Sequence, residues 1–466
     1  MRKQKKGFRK TKKVFLLVIV VLLISVGVFA YRWKNGDVNK TSVIVNTIST
    51  FEKIIQFLPI EQDTKKEVET IDKLVKAVFE KDGVERRYFL MLQNNMELRP
   101  GGGFLGQYAV VKVKDGELTS LFIEDANLLD QRISAKVRPP YPFTKMMQIK
   151  KWKFRDSNFS ADFPTNIEKA EYFYRLSGGN SKFDGVISVN ASILNNALEI
   201  TGPINLGGYG TYTSEDAVLK LEEFVEKKYL FDETLDTQNR KSVMKKLAPV
   251  VADKLLQPEN FKKTVDLALN ELRNKNVMIN FEDQSIQQMI REVKWGGVVD
   301  TTWDGDYLML VDANLGALKS DYYMKRDVDY DVDLTLEKPT ATLRYTYTHT
   351  AKFGDWRTSD YHSYLRMYVP KGSNLLERHM VSYPNIQEEF GKTYFGFIVH
   401  TLINRQTKAV IKYELPETVN KDDYKLYIQK QSGVGNVPVK VHVKSANGEY
   451  NQELVLKKDV KLIFNK

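Results

Sequence analysis

The chain has no cysteine. That absence removes disulfides, thiol nucleophiles and thiolate metal sites together, and it fits an exported protein that avoids oxidisable thiols. Histidine is scarce: His349, His362, His379, His400 and His442 are the five, so the first 348 residues hold none. Chemistry in that part of the chain has no imidazole base or ligand, which excludes Ser-His-Asp triads and histidine zinc sites there. Carboxylates, Arg, Lys, hydroxyls and backbone amides remain. Acid is missing from residues 1–13, "MRKQKKGFRKTKK", which carry Arg2, Lys3, Lys5, Lys6, Arg9, Lys10, Lys12 and Lys13. Those eight groups take most of the net charge of +11, so about +3 is left for everything after them. A nucleic-acid partner loses its electrostatic basis.

Charge of either sign is absent from "VFLLVIVVLLISVGVFAY", Val14 to Tyr31. Its 18 residues are just long enough to span a bilayer as a helix. The basic flank stays cytoplasmic, which sends the rest of the chain outside. Tyr31 and Trp33 suit the outer interface. A cleaved signal peptide is the alternative, since Val28 and Ala30 satisfy a small-residue cleavage rule after Ala30.

The organisation expected from pattern is a cytoplasmic basic tail (1–13), a transmembrane helix (14–31), a helical stalk (32–83), an extracellular α/β domain (84–326) and a β-sandwich (327–466). The stalk is a spacer or packs on the domain after it. In the α/β part, "YAVVKVKDGELTSLFIED" predicts two strands about a turn at Asp115-Gly116. "PTNIEKAEYFYRLSGG" predicts a helix with a Thr165/Glu168 capping box and a Gly178 stop. "FDGVISVN" reads as a strand and "ASILNNALEITGPI" as a short helix. After Asp327, segments such as "ATLRYTYTHT", "YLRMYVP" and "AVIKYELP" are short, alternating and rich in β-formers. About seven of them predict an antiparallel, immunoglobulin-like sandwich.

The most pointed stretch is "LRPGGGFLGQYAVV", residues 98–111. Gly101, Gly103 and Gly106 satisfy G-x-G-x-x-G, but that fingerprint needs a helix directly after it to receive a pyrophosphate. Here an alternating strand follows, so a dinucleotide site is rejected, and no Gly-Lys-Ser/Thr supports a P-loop. Two readings stay open. The amides of Gly101, Gly102 and Gly103 form an anion nest beside Arg99, or the loop is a bulged hairpin whose glycines relieve crowding. A second cluster, "WKFRDSNFSADFP", sets Arg155, Asp156, Asn158 and Asp162 among aromatics. It reads as a held binding loop or as a surface ion pair worth ~0–1 kcal/mol. Lys227, Lys228, Arg240 and Lys241 make a basic third cluster, or a solvated face.

From about Glu85 to near the C-terminus, "NNMELRPGGGFLGQYAVV", "RDSNFSADFPTN", "FDGVISVNASILNNALEITGPI", "NLGALKSDYYMKR", "YLRMYVPKGS" and "YIQKQSG" resemble the bacterial family called domain of unknown function four thousand and twelve. More distantly, the order of elements is similar to the LytR-CpsA-Psr family. Its members are anchored by one N-terminal helix and transfer glycopolymers from a polyprenyl-pyrophosphate carrier to the cell wall. That resemblance implies a mixed-sheet α/β domain, with Arg99, Arg240 and Lys241 at positions that bind pyrophosphate and Asp125 near a magnesium-holding carboxylate. As an enzyme, the chain would add Arg155 and the glycine amides to the pyrophosphate site, and its catalytic carboxylates Asp125 and Asp156 would hold magnesium or orient an acceptor hydroxyl. The chain departs from that pattern where Pro100 and glycines follow Arg99 and where Glu124-Asp125 replaces an Arg-Asp pair. Two functions compete: a membrane-anchored envelope phosphotransferase acting on polyprenyl-linked glycan, and a non-catalytic envelope module that binds glycan or lipid or scaffolds other proteins.

Overall fold

The computed structural model describes residues 61–223 and 242–464, apart from 256 and 258. The basic tail, the 14–31 run, Lys227, Lys228, Arg240 and Lys241 lie outside the described residues. Among the described residues no helix is long and apolar enough to cross a membrane. The chain is a mixed α/β protein with a strand-rich C-terminal region, and it folds as two units, each gathered from separate stretches.

One unit takes the described residues of Met1–Leu92, Gln107–Asp125 and Lys182–Gly296. Its strands are β1 (Glu85–Asn94), β2 (Phe104–Lys114), β3 (Glu117–Asp125), β4 (Gly185–Asn190), the short pair β5 (Ile204–Asn205) and β6 (Thr211–Tyr212), and β7 (Val277–Phe281). Five of them form a sheet in the order β3-β2-β1-β4-β7. The β2–β3 turn is Asp115-Gly116, both at positive φ (53° and 79°), which matches the twist of a two-residue hairpin. The helix Gln62–Val78 places Val68, Ile71, Val75 and Val78 three or four residues apart, so one stripe faces inward. They share a core with Tyr88, Leu90, Val111, Ile187 and Ile279 of the sheet and with Leu269, Leu272, Ile286 and Ile290 of the helices Phe261–Arg273 and Gln284–Glu292. This part of the expected stalk is therefore built into a core. The Arg273 guanidinium, donating to Glu67, ties the helix down.

The other unit takes Gln93–Gly106, Ala126–Ser181 and Gly297–Lys466. Its strands are β8 (Asp306–Asn314), β9 (Met324–Asp333), β10 (Thr340–His349), β11 (Tyr361–Pro370), β12 (Asn374–His379), β13 (Asn385–Glu389), β14 (Lys392–Thr401), β15 (Gln406–Glu414), β16 (Lys425–Gln429), β17 (Val437–Ser445), β18 (Gly448–Leu456) and β19 (Val460–Ile463). They form two six-stranded sheets, β12-β15-β10-β9-β17-β18 and β13-β14-β11-β8-β16-β19. Each consecutive pair of strands, from β8/β9 to β18/β19, fills the same place in the two orders. Leu308, Leu365, Met367, Phe395 and Phe397 of one sheet meet Tyr330, Leu343, Ile411 and Tyr413 of the other in a single core.

The sandwich differs from the expected one in two respects. It has twelve strands, and β8–β16 and β9–β17 pair in parallel. Parallel neighbours need a crossover, and here the chain traverses both sheets between them. The boundary drawn at 326/327 also moves: β8 sits between β11 and β16 of this unit. The segment 126–181 covers one outer face, where Phe143 and Phe159 pack on Ala313, Leu315 and Tyr364.

Candidate functional site

The glycine loop lies in the sandwich unit, and its conformation is set by what each glycine touches. A Cβ on Gly103 would strike the backbone of Asn94 and Asn95. One on Gly101 would come within 2.6 Å of Asn166 Nδ2. Gly102 sits at φ +131°, a backbone region that favours glycine, and a Cβ on Gly433 would strike its carbonyl.

All three amides are engaged by the protein. Gly101 N–H donates to Asn158 O (3.0 Å), Gly102 N–H to Arg99 O (2.9 Å) and Gly103 N–H to Gln93 Oε1 (3.2 Å). Asn158 Nδ2 donates to the same Gln93 oxygen (2.5 Å) and to Gly103 O (2.6 Å). An anion nest needs inward N–H groups without acceptors; these have them. The hairpin reading describes the loop.

Arg99 is 1 % exposed. Its Nε donates to Asp156 Oδ1 (3.1 Å), Nη1 to Asn314 O (2.6 Å) and Nη2 to Glu97 Oε1 (2.9 Å), and its guanidinium lies 5.4 Å from the Phe104 ring centroid. One cation is thus flanked by two carboxylates, and a phosphate entering here would have to displace both. Asp156 is carried by the 3₁₀ turn Phe154–Asp156. Its neighbour Arg155 turns away and donates to Asp130 Oδ2 (2.8 Å), while Phe154 N–H donates to Asp130 Oδ1 (2.7 Å). Burial pushes the Asp130 carboxyl up against the pull of these donors.

Of the expected site residues, Arg99, Gly101, Gly102, Gly103, Arg155 and Asp156 are thus in one unit, with Arg99 and Asp156 in direct contact. Asp125 ends β3 of the other unit, register partner of Gln107. Arg240 and Lys241 lie outside the described residues. Of the two carboxylates expected to hold magnesium, Asp156 accepts from Arg99 and Asp125 lies in the other unit, and among the described residues no three His, Asp or Glu side chains gather as a metal cluster.

Pattern reading missed the residues that complete this cluster: Gln93, Glu97, Asp130, Asn166 and Asn314. It also missed the network beside them, although Asp321 and Arg326 stand in "NLGALKSDYYMKR". Arg326 donates to Asp312 Oδ2 (3.0 Å), Asp321 Oδ1 (2.6 Å) and the Tyr361 hydroxyl (2.7 Å). Tyr345, Tyr347 and Ser363 donate to Asp312, and Leu98 N–H and Asn314 Nδ2 donate to Asp321 Oδ2. A third buried acid, Asp306, has hydroxyls in place of a cation. Tyr330 and Tyr424 donate to Oδ2 (2.7 and 2.5 Å) and Tyr307 N–H to Oδ1 (2.7 Å). Its pKa is pushed up to about 6 by burial.

Fold and cluster together define a mixed α/β and β-sandwich protein whose characteristic motifs build a buried polar network. Residues 83–225 match the model of the family described as a protein of unknown function, DUF4012. The resemblance to that family is shown over those residues. A search of curated proteins finds no match. Among solved structures, the Lin1025 protein from Listeria innocua is 13% identical with a TM-score of 0.25, over 46% of this chain and 79% of that one. At that score it carries no argument.

Proposed function

We propose that the protein is a non-catalytic module of the bacterial cell envelope. Residues 14–31 serve as a single-pass anchor with residues 1–13 in the cytoplasm, and the bulk binds envelope glycan or lipid, or scaffolds other envelope proteins. One observation carries the choice over a phosphotransferase: the Arg99 guanidinium is buried and held by Asp156, Glu97 and Asn314 O. The amides of Gly101, Gly102 and Gly103 are engaged as well. Catalysis of phosphoryl transfer rests on positioned cations and donors aimed at developing charge, and in this cluster they are aimed at the protein. Apolar length and basic flank support the anchor.

The test is to purify the full chain from membranes, identify co-purified lipid and glycan by mass spectrometry, and assay glycopolymer transfer from a polyprenyl-pyrophosphate donor with magnesium. The expected result is no transfer, with Arg99→Ala altering stability but not what co-purifies. Magnesium-dependent transfer that Arg99→Ala abolishes in a chain of unchanged stability overturns the proposal.

A further inference from the structure

A different feature of the sandwich has the chemistry of a ligand site. His362 on β11 and His400 on β14 are register partners across an antiparallel pair. Their rings stack with centroids 4.3 Å apart and planes 17° from parallel. His362 is half-buried, while the His400 side chain is 48% exposed, so solvent reaches the pair. Asp360 adds a carboxylate: Ile403 N–H fixes its Oδ1 (2.9 Å), and Oδ2 lies 4.0 Å from His400 Nε2.

We propose that His362 and His400 form a surface two-histidine site for a borderline divalent transition ion (Zn²⁺, Ni²⁺ or Cu²⁺), with water completing the shell and Asp360 supplying nearby negative charge. Imidazole is a preferred ligand for all three ions. Zn–N bonds of about 2.0–2.1 Å in tetrahedral geometry put two ligand nitrogens about 3.3 Å apart; the in-plane lone pairs of stacked rings run side by side, so both side chains turn out of the stack to aim a nitrogen at one ion. Cross-strand pairing fixes both Cα positions, so the site needs no change in backbone.

The other histidines offer less. His349 is buried, its Nδ1 accepting from Ala351 N–H and its Nε2 facing Ser359 O. His442 lies between Asp331 and Glu449, each 3.5 Å away, but Arg344 already pairs with Asp331.

Calorimetric titration of the full chain with Zn²⁺, repeated with Ni²⁺, tests the site. The expected result is one saturable ion per chain. Either His362→Ala or His400→Ala weakens binding by about tenfold or more, and His442→Ala leaves it unchanged. In the unaltered chain, where folding is not in question, Zn²⁺ shifts the NMR ring resonances of His362 and His400 before those of the other three. Equal affinity in both alanine variants, loss of binding in His442→Ala, ring shifts confined to other histidines, or no saturable binding at all overturns the proposal.

Discussion

Removing the Arg99 guanidinium leaves Asp156 and Glu97 without their cation and the Asn314 carbonyl without its donor. Breaking a buried pair from one side costs about 3–5 kcal/mol, so urea denaturation of Arg99→Ala should show a loss of that size. A variant within about 0.5 kcal/mol of wild type would mean that the network contributes little. The glycines of the same loop separate by position, not by motif. Gly103→Ala forces a methyl against the Asn94 and Asn95 backbone and should cost at least ~1–3 kcal/mol. Gly106→Ala meets nothing nearer than Phe104 Cδ1 at 4.0 Å and should be tolerated. A nucleotide fingerprint would have required all three glycines; thermal midpoints of the two variants decide. Asp306 gives a pH signature. Its folded pKa of about 6 lies above the ordinary aspartate value of 3.8, so between those values the folded chain keeps a proton that the unfolded chain has released. Its contribution to stability is fully present below pH ~3.8, falls as pH rises and is gone above ~6, by roughly 3 kcal/mol in all. Urea midpoints of wild type minus Asp306→Asn, taken from pH 4 to 7, should trace that fall; a flat difference would rule it out.

The helix Phe163–Leu176 begins at a different residue from the one its sequence pattern indicates. Thr165 and Glu168 have the spacing of a capping box, yet Asp162 caps the helix, accepting from Thr165 N–H (3.1 Å) and Thr165 Oγ1 (2.8 Å). Its other oxygen accepts from Val299 N–H (3.0 Å), a partner more than a hundred residues away that no local pattern reveals. Asp162→Ala should therefore cost about 1–2 kcal/mol or more, and Glu168→Ala next to nothing. Calorimetric midpoints in the reverse order would restore the capping box. The strands show the same divide between local and distant causes. β10, with alternating burial, and β11 and β15 were legible because Thr, Tyr, Val and Ile recur at strand spacing. β8, "DYLMLVDAN", is buried on both faces and has no alternation to find, while β12 and β13 are largely exposed edges with charged side chains. In the candidate site, the need for glycine was legible at 101–103. Asn158, Asn166 and Gly433, which create that need, come together only through tertiary packing.

Neither unit is one continuous stretch of chain, and this decides how the molecule can be divided. A cut at 326/327 follows the change in composition, where alternating strands replace helices. It also removes β8, which pairs with β11 over Ser363–Tyr368 and with β16 over Leu426–Gln429. β8 brings Leu308, Val311 and Asp312, each 0% exposed, and Asp312 accepts from Arg326, Tyr345, Tyr347 and Ser363. A fragment 327–466 would keep three of those donors, Tyr345, Tyr347 and Ser363, and lose both Arg326 and the acceptor, in a sheet with its central strand missing. Buried donors without partners cost about 1–3 kcal/mol each, more when charged, against a domain stability of only about 5–15 kcal/mol. That fragment should lack a cooperative thermal transition and should bind hydrophobic dyes. A fragment starting at 297 restores β8 but still lacks 126–181, the segment that covers Tyr364 and Leu315 with Phe143 and Phe159, and it should aggregate through that face. A sharp calorimetric transition from residues 327–466 alone would show that the sandwich folds without β8, and that the boundary in composition is also a boundary in folding.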